Sequence, residues 1–177
     1  MIIKPGPPRS AAGTTSKRER SMTDQHRGWA FVAVQFALLA TLVALPPGDD
    51  WARPAWLQAL ALLILIIGVG LVAVSALGLG PALTATPVPK DRGALVTTGL
   101  FHYVRHPIYT GVILAVVATA IRSGNVITAV VAVVLVVFFR VKSTWEEAKL
   151  RQAYPEYEAY AAATGRFFPR LASLSGG

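Results

Sequence analysis

The sequence predicts an all-α integral membrane protein with about four transmembrane helices, the last two forming a short helical hairpin, and a C-terminal amphipathic helix on the cytosolic side. Three observations carry this. Of the 177 residues, 54% are hydrophobic and only 15% charged, a balance far from that of soluble domains. The apolar residues fall into four runs, and the first two approach or exceed the roughly 20 residues that cross a bilayer core. The 17 lysines and arginines, against 9 acidic residues, sit between those runs and not on one patch interleaved with aromatics. The charge therefore reads as a cationic membrane flank, and nucleic acid is excluded as a partner. No cysteine is present, which removes disulfides and thiolate chemistry.

Residues 1–28 carry Pro5, Pro7, Pro8 and the run Lys17-Arg18-Glu19-Arg20. They show little apolar periodicity and are expected to be a disordered cytosolic tail, with Met1 or Met22 as the start. The first apolar run, Trp29–Leu45, has no small-residue cleavage site after it, so it is expected to remain as an anchor. Residues 29–177 then form one membrane domain. Trp29–Leu45 and Ala55–Leu79 can each span, and Gly68, Gly70, Ser75 and Gly78 give the second run a small-residue face for close helix packing. Such a face serves packing within or between chains equally, which leaves the oligomeric state open.

Thr110–Ile121 and Val126–Phe139 are shorter, and Arg122-Ser123-Gly124-Asn125 joins them. This predicts a tight helical hairpin that draws turns from its flanks or sits in thinned lipid. Thr144–Thr164 alternates charged residues with Trp145, Leu150, Tyr154, Tyr157 and Tyr160. It is expected to be an interfacial helix interrupted near Pro155, with Tyr157 and Tyr160 sharing a face.

The loops give an orientation. Lys4, Arg9, Lys17, Arg18, Arg20 and Arg27 outnumber Glu19 and Asp24 before the first span, whereas Asp49 and Asp50 outnumber Arg53 in the loop after it. Both termini are therefore expected in the cytosol; the membrane is expected to be a bacterial plasma membrane. The stretch Arg105-His106-Pro107-Ile108-Tyr109 then shares the cytosolic face with Arg140, Lys142, Glu146 and Glu147. Pro107 is expected at the first position of a helix with His106 at its cap. Arginines and lysines beside spans are ordinarily anchors, and adjacent glutamates ordinarily a solvated helix turn. Their company here points instead to a polar site at a membrane face, with Arg105 a candidate catalytic cation and Arg140 and Lys142 close by. No HExxH, paired CxxC, Ser-His-Asp set or phosphate-cradling glycine loop is present, so no metal is expected.

The stretch from Leu95 to Gly111, LVTTGLFHYVRHPIYTG, resembles the LVTxGxYxxVRHPxYxG block of the isoprenylcysteine carboxyl methyltransferase family. Glu146-Glu147-Ala148-Lys149-Leu150, then Tyr154-Pro155-Glu156-Tyr157-Glu158-Ala159-Tyr160 and Arg166-Phe167-Phe168-Pro169, are similar to that family's second block. The two blocks, 93–111 and 140–169, stand in the family's order, and the resemblance covers roughly residues 78–170. It implies an intramembrane enzyme that transfers a methyl group from S-adenosylmethionine to a lipophilic or lipidated acceptor drawn from the bilayer, releasing S-adenosylhomocysteine. It implies cofactor contacts at Gly93, Ala94, Leu95, Val96, Phe101, His106, Pro107, Ile108, Tyr109, and at the Glu146-Glu147 pair. It also implies a cationic acceptor-binding residue at Lys142, with Arg140 beside it. The family usually has arginine where Lys142 stands, tyrosine at Phe101 and glycine at Pro155. The favoured acceptor is a carboxylate. The alternatives are a phospholipid N-methyltransferase, a sterol-type reductase, whose extra helices this chain lacks, and a non-enzymatic membrane protein with a degenerate site.

Overall fold

The computed structural model describes residues 11–80 and 95–170, with side chains from residue 22 onward. They form six helices: α1 (Ala11–Ala44), α2 (Ala55–Leu79), α3 (Leu100–Tyr103), α4 (Pro107–Ser123), α5 (Val126–Ala153) and α6 (Tyr157–Ala163). Met22–Ala44, Ala55–Leu79 and Val126–Ala153 are long and apolar enough to cross a membrane; Pro107–Ser123 is a shorter apolar helix. At about 1.5 Å per residue, α4 reaches about 25 Å, less than a typical hydrocarbon core.

Two boundaries differ from expectation. Residues 11–28, expected as part of a disordered tail, are helical and continuous with the first span. Lysine, arginine, glutamate and glutamine are good helix formers, and a span already nucleated extends backward through them at little cost. Asp24 is also tied to Lys149 of α5 at 2.6 Å. Residues 1–10 lie outside the described residues. The second difference concerns Thr144–Thr164, which is not a separate helix. α5 runs through the apolar-to-polar change at Arg140 as far as Ala153, and the chain breaks only at Tyr154-Pro155-Glu156 before α6. A change of polarity does not end a helix, whereas proline does.

The helices pack in the order α1 on α5, α5 on α4 and α4 on α2. The core of Leu42, Val116, Ala120, Ala132, Leu135 and Phe139 lies between α1, α4 and α5. The closest approach, however, is between α4 and α2. A Cβ placed on Gly68 would lie 2.6 Å from the Gly111 carbonyl oxygen, and one on Gly111 would lie 2.5 Å from that of Gly68. The small-residue face of α2 is thus used at Gly68 and Ser75, both buried, whereas a Cβ on Gly70 would meet open space.

The hairpin tip is fastened by the loop before α2. Gly124 ends α4 at φ 64°, and a Cβ there would meet Gly48, so both conformation and space demand glycine. Asn125 caps α5 through its side-chain oxygen, which accepts from the Ile127 and Thr128 amides. Gly48 N donates to Ser123 O at 2.8 Å, and Trp51 Nε1 donates to Ile121 O at 3.2 Å. A cavity of about 900 Å³, lined by Leu42, Trp51, Arg53, Gln58 and Arg122 among others, lies at this end, remote from the glutamates of α5.

Candidate functional site

The site is built where the start of α4 meets the polar end of α5. Pro107 opens α4 with His106 as its N-cap, as the sequence predicts; the His106 side chain is left free of capping and turns to α5. The preceding strand-like residues are held by residues 165–167, which follow α6. Val104 bridges Gly165, Arg105 N donates to Gly165 O at 2.8 Å, and His106 N donates to Arg166 O at 3.1 Å. Thr110 Oγ1 bonds Phe167 O at 2.8 Å. A Cβ on Gly165 would collide with the Phe168 carbonyl, so the closing turn needs glycine there.

The two adjacent glutamates divide their work. Glu147 is fully buried, and both its oxygens are consumed by the protein. Oε1 accepts from Arg105 Nε at 3.1 Å and lies 3.2 Å from His106 Nε2, while Oε2 accepts from Arg166 at 2.7 Å and lies 3.7 Å from Arg151. Such charge-assisted bonds saturate a carboxylate. Arg105 further donates to the carbonyls of Ala161 and Thr164, binding α6 to the same knot. Arg105 and Glu147, candidate catalytic and cofactor residues by sequence, are thus spent on each other and on the backbone.

Glu146 faces the other way. Its Oε1 accepts from the Tyr109 hydroxyl, and its Oε2 stands 3.6 Å from His106 Nδ1. His106 and Tyr109 stack with centroids 5.4 Å apart and planes 1° from parallel; Phe139 closes on Tyr109 at 5.0 Å. Lys142, 3% exposed, lies with its ammonium 5.2 Å from the Tyr109 ring and donates to Gln35 Oε1 of α1 at 2.6 Å. The structure therefore brings together His106, Tyr109, Lys142 and Glu146, with Pro107 and Ile108 forming the first turn beneath them.

It does not bring in Arg140, which is exposed and bonded to Thr144 at 3.2 Å. The helical rotation of two residues puts it on a different face from Lys142. Phe101 is buried in α3, with its ring edge toward Gly78. Leu95 and Val96 are half-buried in the segment leading into α3. Gly93 and Ala94 lie outside the described residues. Gln35, Phe139 and Arg166 join the site without having been singled out as site residues. Gln35 had one signal, a polar residue inside a span; Arg166 had only its place in the second block.

α6 supplies a support. Tyr157 and Tyr160 share a face, with rings 5.9 Å apart, and Tyr160 OH donates to Phe101 O at 2.6 Å. Burial pushes the Tyr160 hydroxyl up to about 12, so it stays a neutral donor. Tyr160→Phe is expected to cost about 1 kcal/mol, seen as a lower thermal unfolding midpoint in detergent.

A cofactor bearing hydroxyls, an ammonium and a sulfonium fits these residues. Glu146 Oε2 retains accepting capacity, and the His106 and Tyr109 rings bring aromatic surface beside it. Among the described residues no group of three or more His, Cys, Asp or Glu is placed to hold a metal ion.

The chain is 32% identical over 88 residues to the cobalt-zinc-cadmium resistance protein CzcN of Cupriavidus metallidurans, covering 49% of this chain and 41% of that one. It is 31% identical over 78 residues to the nickel-cobalt-cadmium resistance protein NccN of Alcaligenes xylosoxydans xylosoxydans, covering 44% and 37%. The aligned stretch is thus less than half the length of either relative. The solved structure of the eukaryotic intramembrane Ras methyltransferase ICMT (isoprenylcysteine carboxyl methyltransferase) superimposes with a TM-score of 0.60 at 20% identity, over 87% of this chain and 53% of that one, a likeness of fold. Residues 56–157, which hold α2, α4, α5 and every member of the His106–Tyr109–Lys142–Glu146 cluster, match the phospholipid methyltransferase family, and the chain is an integral membrane protein that belongs to it.

Proposed function

We propose that this chain transfers a methyl group from S-adenosylmethionine to the carboxylate of a lipophilic, isoprenylcysteine-like acceptor that reaches the site from the bilayer. The observation that carries the reading is the pairing of Glu146 with Tyr109 and His106 on one side and the buried Lys142 ammonium on the other. S-adenosylmethionine would supply a methyl on a sulfonium, which an acceptor oxygen takes in line as the carbon–sulfur bond breaks, leaving S-adenosylhomocysteine.

The protein's part is positioning and exclusion of water. Glu146 accepts from the cofactor's hydroxyl or ammonium groups, with Tyr109 fixing its rotamer. The rings of His106 and Tyr109 wall the sulfonium, and Lys142 orients the acceptor anion. A carboxylate acceptor is already ionised at neutral pH, so no general base is needed. The cationic loops support a cytosolic site in a bacterial plasma membrane. The metal-resistance names of the relatives describe those proteins. A phosphatidylethanolamine-type amine acceptor is the second reading, favoured by the family's own description.

Calorimetric titration with S-adenosylhomocysteine tests the site. Glu146→Gln is expected to weaken binding about 10- to 100-fold, the worth of a hydrogen bond to a charged group. Arg140→Ala, on the exposed face, is expected to leave it within about twofold. Unchanged affinity in the Glu146 variant would remove this residue from the cofactor site. Radiolabelled transfer then separates acceptors, since carboxyl methyl esters are base-labile and N-methyl groups are not.

A further inference from the structure

α1 lies outside the stretch that matches the family, residues 56–157, yet it provides the hydrogen-bonding partner of Lys142. Lys142 is buried, and its ammonium has the Gln35 amide oxygen at 2.6 Å and the Tyr109 ring face; among the described residues it forms no ion pair. An ammonium has three N–H donors, so this arrangement leaves donor capacity unspent. A cation buried against a neutral amide, with the Glu146 carboxylate acting on it only from beyond ion-pair distance, is costly to maintain, and an arriving anion relieves that cost.

Gln35 occupies the middle of the α1 face that packs on α5. Phe31, one turn before it, lies 5.9 Å from the Phe138 ring and 5.4 Å from Trp145; Leu38, Leu39 and Leu42 continue the face into the core. A leucine there would pack as well. A polar side chain at this depth marks a functional contact. The amide is also suited to two states: its oxygen accepts from an ammonium, and its NH₂ donates to a carboxylate after rotation about χ3.

We propose that Gln35 is a positioning residue for the acceptor, and that the α1–α5 seam forms one wall of the acceptor site. Without acceptor, the Gln35 oxygen stands on Lys142 in the place of the acceptor's carboxylate oxygen. With acceptor, the carboxylate takes that place and the Gln35 NH₂ donates to it. This rests on the reading of the acceptor as a carboxylate.

The test uses the full chain in nanodiscs and equilibrium binding of a fluorescent S-farnesylcysteine probe, as free acid and as methyl ester, alongside S-adenosylhomocysteine titration. The unsubstituted protein is expected to bind the acid about tenfold more tightly than the ester. Gln35→Glu is expected to remove that preference by pairing with Lys142, and Gln35→Leu, which keeps the ammonium but loses the amide donor, to reduce it several-fold, both leaving ester and S-adenosylhomocysteine affinities within about twofold. Gln35→Asn, with a shorter amide, is expected to retain part of it. If the acid preference survives in both variants, if acid and ester weaken equally, or if the unsubstituted protein shows no preference, the assignment of Gln35 is wrong. Labelled transfer on the same samples is read separately. An acid preference without methyl transfer would overturn the methyltransferase reading and leave the anion site standing; transfer to the acid that is indifferent to Gln35 would do the reverse.

Discussion

Glu147→Ala is expected to destabilise the protein by about 3–5 kcal/mol, because it strands cations that the fold has taken out of water. The Arg105 side chain is 7% exposed, and Glu147 is fully buried. Without the carboxylate, Arg105, Arg166 and His106 face one another around a void. Glu147→Gln keeps the volume and removes the charge, so it isolates the electrostatic part of the loss. The measurement is the unfolding midpoint in detergent, set beside that of Glu146→Gln. The adjacent glutamates are expected to separate cleanly: loss at 147 lowers the midpoint, and loss at 146 lowers cofactor affinity with a far smaller change in midpoint. Equal midpoints for both variants would mean that Glu147 is not the tie between α5, α6 and the loop before α4.

The second large effect is at the α2–α4 contact. A Cβ on Gly111 would lie 2.5 Å from Gly68 O, 2.8 Å from Val72 Cγ2 and 3.0 Å from Val72 N. Two of these three are backbone atoms, so the helices must part. Gly111→Ala is expected to cost about 2–3 kcal/mol, the upper part of the range for overpacking, and Gly111→Val more. Gly111 is one half-turn from Tyr109 on the same short helix, so the displacement is also expected to weaken S-adenosylhomocysteine binding several-fold. Gly70→Ala, which meets open space, serves as the control and is expected to keep both midpoint and affinity. A Gly111→Ala protein that melts with the unsubstituted one would refute the close approach.

What could be read from the sequence follows the range of the interactions. Pro107 and His106 were legible because a proline fixes the backbone of its own residue and its neighbour. The glutamates were legible as a pair beside a membrane face, but their division of labour was not. Glu147 is chosen by Arg105, 42 residues earlier, and by Arg166, 19 residues later, and nothing local distinguishes it from Glu146. Arg140 and Lys142 were grouped by nearness in the chain, whereas a helix separates them by direction. The continuity of α5 was hidden because the change from valines to charged residues at Arg140 looks like a boundary, although no glycine or proline interrupts the helix across it. Gly68 announced a close contact without naming Gly111 as its partner.

The bridge between Val104 and Gly165 has a consequence for how the protein is made. Synthesis delivers the spans first, and the residues that hold Arg105 and His106 in place, Thr164 to Phe167, follow the last of them. Until Arg166 arrives, the carboxylate of Glu147 has lost its 2.7 Å partner and the loop before α4 has no anchor. The helices can therefore be inserted and packed while the polar cluster remains unassembled. Arrival of the segment after α6, and not insertion, is the step that arms the site.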